Sequence, residues 1–375
     1  MYNKLMVKRR QMAGNQQGFA AIIIAIVLLV VLSLITVGFA QLMRDNQRQA
    51  LDKQLSQQAY YAAESGVNTA TKAITAGFTS EKKDCGVLSD GDINALPADQ
   101  RIGAAFLKSN QVGNSDTTFS CLLINPNPPT VEYGSVNNDQ SKVTTITGGD
   151  PSTLADTPIG TIQINWQARD GGSTFADNSD YTANPTKLPP LADWTSATGV
   201  LRFSVTSLDS TSGAVGLTSK FAMQAFVYPI NSSSDPVTYN YKAYLSNDSN
   251  GPILAGSCKA DRKPLNCAVN ITGLNTTSIL VDLRSIYHDS KVSISVFRDS
   301  GGHASTVAAD QLAIKHAQTL IDSTGKSQDV LRRIQVRLPV RDGYLHPDYS
   351  LEAGQNICKQ IQVFPGSTAD ACPGQ

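Results

Sequence analysis

The first 44 residues contain no acidic side chain, and the 22 residues from 19 to 40 carry no charge of either sign. Ahead of that run stand Lys4, Lys8, Arg9 and Arg10. That basic cluster, with no acidic residue beside it, places the N-terminus on the cytoplasmic side of a membrane. Net charge is also lacking, since Lys+Arg and Asp+Glu are both 31. No global basic field attracts nucleic acid, and no acidic excess makes a solvating tail. Catalytic signatures are absent too. The four histidines, His288, His303, His316 and His346, are far apart and none sits in an HExxH or beside a Gly-x-Ser-x-Gly elbow. The glycine-rich stretches lack the Lys-Ser/Thr ending that cradles phosphate. An enzyme is not expected.

What is present begins with the uncharged run. At helical rise, 22 residues just span a hydrocarbon core of about 30 Å. A cleaved secretory signal would have an apolar core of only about 7 to 15 residues and a small-residue cleavage site. Ala-x-Ala spacing is absent after Ala40. In lipid the backbone must satisfy itself, so the run is predicted to be helical, with Ser33 and Thr36 bonding back to the preceding turn. Beyond Asn46 the helical pattern continues, because Leu51, Leu55, Ala59, Ala62, Gly66, Ala70 and Ile74 recur every three or four residues. Gly77 supplies the stop. The spacing predicts one helix over 19–77, transmembrane to 40 and amphipathic from 41.

After Gly77 the composition turns to Ser, Thr, Asn, Asp, Gly and Pro between short alternating runs, which read as strands joined by turns. Ile162–Trp166, Leu201–Val205 and Val292–Val296 alternate, and 221–230 is more continuously apolar. His288-Asp289-Ser290 between two such runs reads as a hairpin turn. Residues 85–160 are the least regular, with Asn125-Pro126-Asn127-Pro128-Pro129 marking a loop. The best linker is Asn231-Ser232-Ser233-Ser234-Asp235-Pro236, dividing the head into lobes 78–232 and 233–375. The fold class expected is α+β, a long helix packed on a β-rich, mainly antiparallel head. Near the C-terminus Ile334, Val336 and Leu338 alternate with Arg333, Gln335 and Arg337, giving one buried and one basic face. With Arg332 and Arg341 that face could meet phosphates, but charges that protect a sheet edge explain it better.

The six cysteines, Cys85, Cys121, Cys258, Cys267, Cys358 and Cys372, all follow the membrane run, and their order suggests three local pairs. None has Cys-x-x-Cys spacing, so structural disulfides are expected, although six cysteines allow 15 connectivities. Asn247–Gly251 and Asp170-Gly171-Gly172 with Asp177, Asn178 and Asp180 offer oxygen ligands suited to calcium. No bidentate glutamate follows at the EF-hand spacing, so no metal site and no cofactor is assigned.

Gln16-Gln17-Gly18-Phe19 meets the apolar run at a glycine, and this junction resembles the leader of type IV pilins and type II secretion pseudopilins. The resemblance implies cleavage after Gly18 by a prepilin peptidase and methylation of Phe19, leaving residues 1–18 as a cytoplasmic leader. Ala59-Tyr60-Tyr61-Ala62-Ala63-Glu64-Ser65-Gly66 is similar to the AxxAAExG run of PilX-type minor pilins and the K-type minor pseudopilin. Small residues there also let a helix lie close to a sheet. Major pilins of the family carry glutamate as the fifth mature residue, where this chain has Ile23, and proline where it has Ala40. These departures imply a minor subunit. The resemblance further implies other pilin subunits and an inner-membrane assembly platform as partners, besides membrane lipid, and a C-terminal hairpin followed by a Cys358–Cys372 loop. The implied place is the cytoplasmic membrane, then a cell-surface filament, with a tip or priming role and adhesion as the expected task. The competing expectation is a permanent single-pass anchor displaying a β-rich binding module.

Overall fold

The structure is a computed structural model that describes residues 16–94, 96, 109–110, 117–138, 141–177, 188–208, 222–232, 236–241, 253–299 and 306–340. It is a long N-terminal helix followed by a β-rich, mostly antiparallel head. Helix α1 spans Gln16–Thr75 and a short α2 spans Asp90–Asn94. The first strands are β1 (Thr117–Asn125), β2 (Thr130–Val136), β3 (Lys142–Gly149), β4 (Ile159–Ala168) and β5 (Val200–Ser207). The next are β6 (Ala222–Asn231), β7 (Val237–Asn240), β8 (Ile253–Cys258), β9 (Cys267–Thr276) and β10 (Ser278–Ile286). The last are β11 (Ser290–Phe297), β12 (Ala313–Lys315), β13 (Gln318–Ser327) and β14 (Val330–Pro339). Three strands form a sheet in the order β1-β13-β14, and the rest form one of 11 strands.

Contacts divide the chain into two compact units. The first comprises Met1–Gly66, Asn110–Ser120 and Thr324–Ile334. Its helix is exposed along the apolar run from Ala21, half-buried at Leu55 and first fully buried at Ala59. Leu51, expected on the buried stripe, is 58% exposed, because the helix meets its strands one turn later.

The second unit holds Val67–Ser109, Cys121–Ser323 and Gln335–Gln375. Here α1 ends as its composition suggests. Gly77 adopts φ 93, its N–H donates to Ile74 O at 2.9 Å, and Phe78 N–H donates to Ala73 O at 3.0 Å. That pair of bonds is the Schellman closure, which only glycine reaches without strain. The buried Phe78 supplies its usual apolar contact.

The large sheet runs β12-β3-β10-β5-β6-β8-β9-β4-β11-β2, with β7 also pairing β9. Twist accumulated over so many strands curls a sheet on itself. The ends accordingly approach each other. Leu312 N–H donates to Val296 O at 2.9 Å, Ile314 N–H donates to Pro128 O at 3.0 Å, and Phe297 bridges Gln311. The core inside includes Trp166, Phe203, Ile146, Val269 and Ile294. Trp166 packs on Gly256, where a Cβ would come within 2.3 Å of the ring, and its indole N–H donates to Gly199 O at 3.2 Å. Polar side chains of neighbouring strands pair across the sheet: Gln163 Nε2 donates to Asn270 Oδ1, whose own amide donates to Thr238 Oγ1.

Several expectations need correction. Where residues 85–160 are described they are more regular than expected, for they contain β1, β2 and β3. The turn at 288–290 does not make a hairpin. Both edges of β10 are taken by β3 and β5, and both edges of β11 by β2 and β4, so the chain crosses between distant parts of the sheet at Tyr287, which has φ 73. The expected lobe boundary at 232 falls inside one sheet, since β6 and β8 pair in parallel with Phe226 opposite Ile253. Strand β14 has no buried face: as an edge strand it leaves Ile334, Val336 and Leu338 only half-buried. Its hairpin with β13 is present, turning at Gln328-Asp329. Cys258 faces Cys267 across β8 and β9 and is bonded to it, and Cys85 is bonded to Cys121. Cys358 and Cys372 lie outside the described residues.

Candidate assembly site on the N-terminal helix

The membrane-length part of α1 presents apolar side chains in every direction. From Ile22 to Met43 the large ones are between 45% and 68% exposed, and mean hydropathy reaches 3.2 in the most apolar window. A helix apolar all round needs lipid or other helices as its solvent. Its two hydroxyls are satisfied internally, Ser33 Oγ donating to Val30 O at 2.7 Å and Thr36 Oγ1 to Ser33 O at 2.9 Å. Gly18 and Phe19 lie in the first turns of α1, and Ile23 is 47% exposed on it. The basic leader residues at 4, 8, 9 and 10 lie outside the described residues.

Farther along, small side chains let the first unit close. Ala59, Ala62 and Ala63 are each 0% exposed, and Gly325 of β13 lies directly against them. A Cβ at Gly325 would stand 1.9 Å from Ala59 O, 2.3 Å from Ala63 N and 2.9 Å from Ala62 Cβ. Backbone therefore meets backbone. Polar bonds frame the contact: Ser327 Oγ donates to Gln58 Oε1 at 2.9 Å, and Arg332 Nε donates to Ser56 Oγ at 2.8 Å. On the other side of the helix Tyr60 and Tyr61 are 52% and 61% exposed, their rings edge to face at 6.0 Å. The Ala-x-x-Ala-Ala pattern marks the helix side of this contact. Gly325, Ser327 and Gln58 were not singled out from sequence, although a glycine inside a strand is a known sign of close backbone approach.

The model of the PilX N-terminal family matches residues 17–68. Over that segment the chain is similar to PilX-type, type IV pilin-like proteins. No curated protein and no solved structure matches it. The matched segment holds the Gly18-Phe19 junction, the apolar run and the small-residue contact, and it ends two positions past Gly66, the last helical residue of the first unit. The match supports a type IV pilus-related protein, and with the apolar helix it points to a membrane-anchored, exported chain; the family it resembles is structural.

The remaining sequence candidates are scattered. Arg337 of the basic stripe is used internally, donating to Thr130 O at 2.7 Å and Glu132 Oε1 at 2.7 Å. His288 sits in the turn after β10, and His316 in a φ 65 turn before β13. His303, His346 and Arg341 lie outside the described residues. Asp170 and Asp177 belong to the segment after β4, while Asn178, Asp180 and the 247–251 cluster are outside the described residues.

Proposed function

We propose that this protein is a minor pilin, a non-catalytic subunit that enters a type IV pilus-like or type II secretion-like filament at its tip or priming position and presents its head for surface contact. The observation that carries the reading is Ile23. At the fifth position counted from Phe19 the resembled major pilins place a glutamate, which meets the N-terminal ammonium of the adjoining subunit in low-dielectric surroundings. An isoleucine offers no such charge, so this subunit is suited to being placed once rather than stacked repeatedly. Prepilin peptidase would remove the leader after Gly18 with the N-terminus inside the cell, Phe19 would be methylated, and the assembly platform would then lift the helix out of the membrane. No cofactor or metal enters this reading.

Mass spectrometry of the mature chain tests it, with N-methylated Phe19 expected as the first residue. An intact Met1, or a cut beyond Ala40, would sink it and leave a permanent anchor carrying a β-rich binding module. A bulky residue at position 18 should block processing, whereas Gly18→Ala is expected to be partly cleaved.

A further inference from the structure

The curled sheet of the second unit stops short of closing. Strand β12 pairs only with Gly149, Gly148 and Thr147 of β3, so residues 142–146 of that strand have β10 on one side and, among the described residues, no strand on the other. At the opposite end of the sheet β2 pairs, among the described residues, with β11 alone. Side chains meet its outer edge instead. The Gln318 amide takes both main-chain groups of Glu132, accepting from its N–H at 2.9 Å and donating to its carbonyl at 3.0 Å, as a neighbouring strand would. Arg337 holds Thr130 O in the same way.

Past Glu132 this substitution ends, and a cavity of about 640 Å³ opens between the two edges, lined by Tyr133, Ser135, Lys142, Thr145 and Gln318 among others. Tyr133 is hydrogen-bonded to Thr144, so one side chain reaches from β2 to β3. Strand edges left without a partner template an added strand. Residues 142–146 offer five positions, about 17 Å of strand. Charge selects further. Glu132 is already paired with Arg337, whereas Lys142 has no carboxylate at ion-pair distance among the described residues.

We propose that this slot receives an extended segment of a partner protein, which pairs as a strand between β2 and β3 and sets an acidic side chain opposite Lys142. The site is independent of filament entry by α1.

Fluorescence anisotropy with the full chain in detergent micelles tests it. The probes are three labelled nine-residue peptides of alternating threonine and valine, with glutamate, lysine or proline at the centre. The glutamate peptide is expected to saturate below about 1 mM and to bind roughly threefold more tightly than the lysine peptide, the scale of one exposed ion pair. Proline should abolish binding, because it removes a ladder donor. Lys142→Glu should reverse the order of the two charged peptides. Absence of saturation, equal binding of the proline peptide, or an unchanged order in Lys142→Glu overturns the proposal. So does binding that appears only in a chain ending at Val340, since the natural occupant would then be the chain's own residues 341–375.

Discussion

Substitution of Gly325 by alanine adds a single methyl group at the tightest contact of the first unit. Two of the three atoms it would meet, Ala59 O at 1.9 Å and Ala63 N at 2.3 Å, are main-chain atoms held by helical hydrogen bonds, so no rotamer change relieves them. Since real Cβ atoms essentially never approach within 3.0 Å, the strand must retreat by about 1.1 Å or the helix must bend away. Overpacking of this kind costs about 1–3 kcal/mol. The retreat also carries Ser327 Oγ away from Gln58 Oε1, now at 2.9 Å, which adds about 1 kcal/mol for the lost bond.

Whole-chain melting is the wrong assay, because a protein of two units need not unfold in one step. Hydrogen exchange reads the local opening instead. In micelles, amides of 55–66 and 324–334 should exchange at least about 30-fold faster in Gly325→Ala, the equivalent of roughly 2 kcal/mol. Gly134→Ala is the control, since a Cβ there meets nothing within 4 Å. Combining Gly325→Ala with Ala62→Gly should restore little, for the two closer contacts are backbone. Unchanged protection in Gly325→Ala, or full rescue by Ala62→Gly, would refute the close approach.

The two described disulfides should separate under mild reduction. Cys85 is exposed, whereas Cys258 and Cys267 are both 0% exposed, so alkylation mapping should find the Cys85–Cys121 pair opened first. The 36-residue loop it closes corresponds to about 4 kcal/mol in the chain-entropy model, so the second unit should lose stability at that step. Alkaline titration should expose Tyr133. Burial raises its pKa above 10 while the Thr144 bond lowers it less, so stability is full below about pH 10 and is lost as pH climbs through the folded value. Tyr133→Phe should remove that part of the loss, with phenolate absorbance as the check; an identical alkaline profile would count against it. Ile23→Glu should raise the share of the protein found along filament shafts, measured by immunogold labelling, and an unchanged distribution would argue that position 23 does not limit stacking.

Sequence read the helix more completely than the head. Periodicity, an uncharged run and a glycine stop are all local, and each is repeated over many residues, so α1 and its closure at Gly77 followed from the chain alone. The strands at Ile162, Leu201 and Val292 were equally visible, because alternation is local too. Pairing is not. A short turn between β10 and β11 suggested a hairpin, yet each strand found both neighbours elsewhere, and nothing within the two runs encodes that choice.

The candidate site divides along the same line. The alanines at 59, 62 and 63 advertise a close approach, but the residue they approach is a lone glycine, and the hydrogen bond beside it joins positions 269 apart in sequence. One half of such a contact can be seen as a pattern, whereas its partner shows only as the absence of a side chain. That asymmetry has a mechanical consequence. Substitutions in the small-residue run and at Gly325 should act on the same contact, so the PilX-like helix motif cannot vary freely while the β13–β14 hairpin stays fixed.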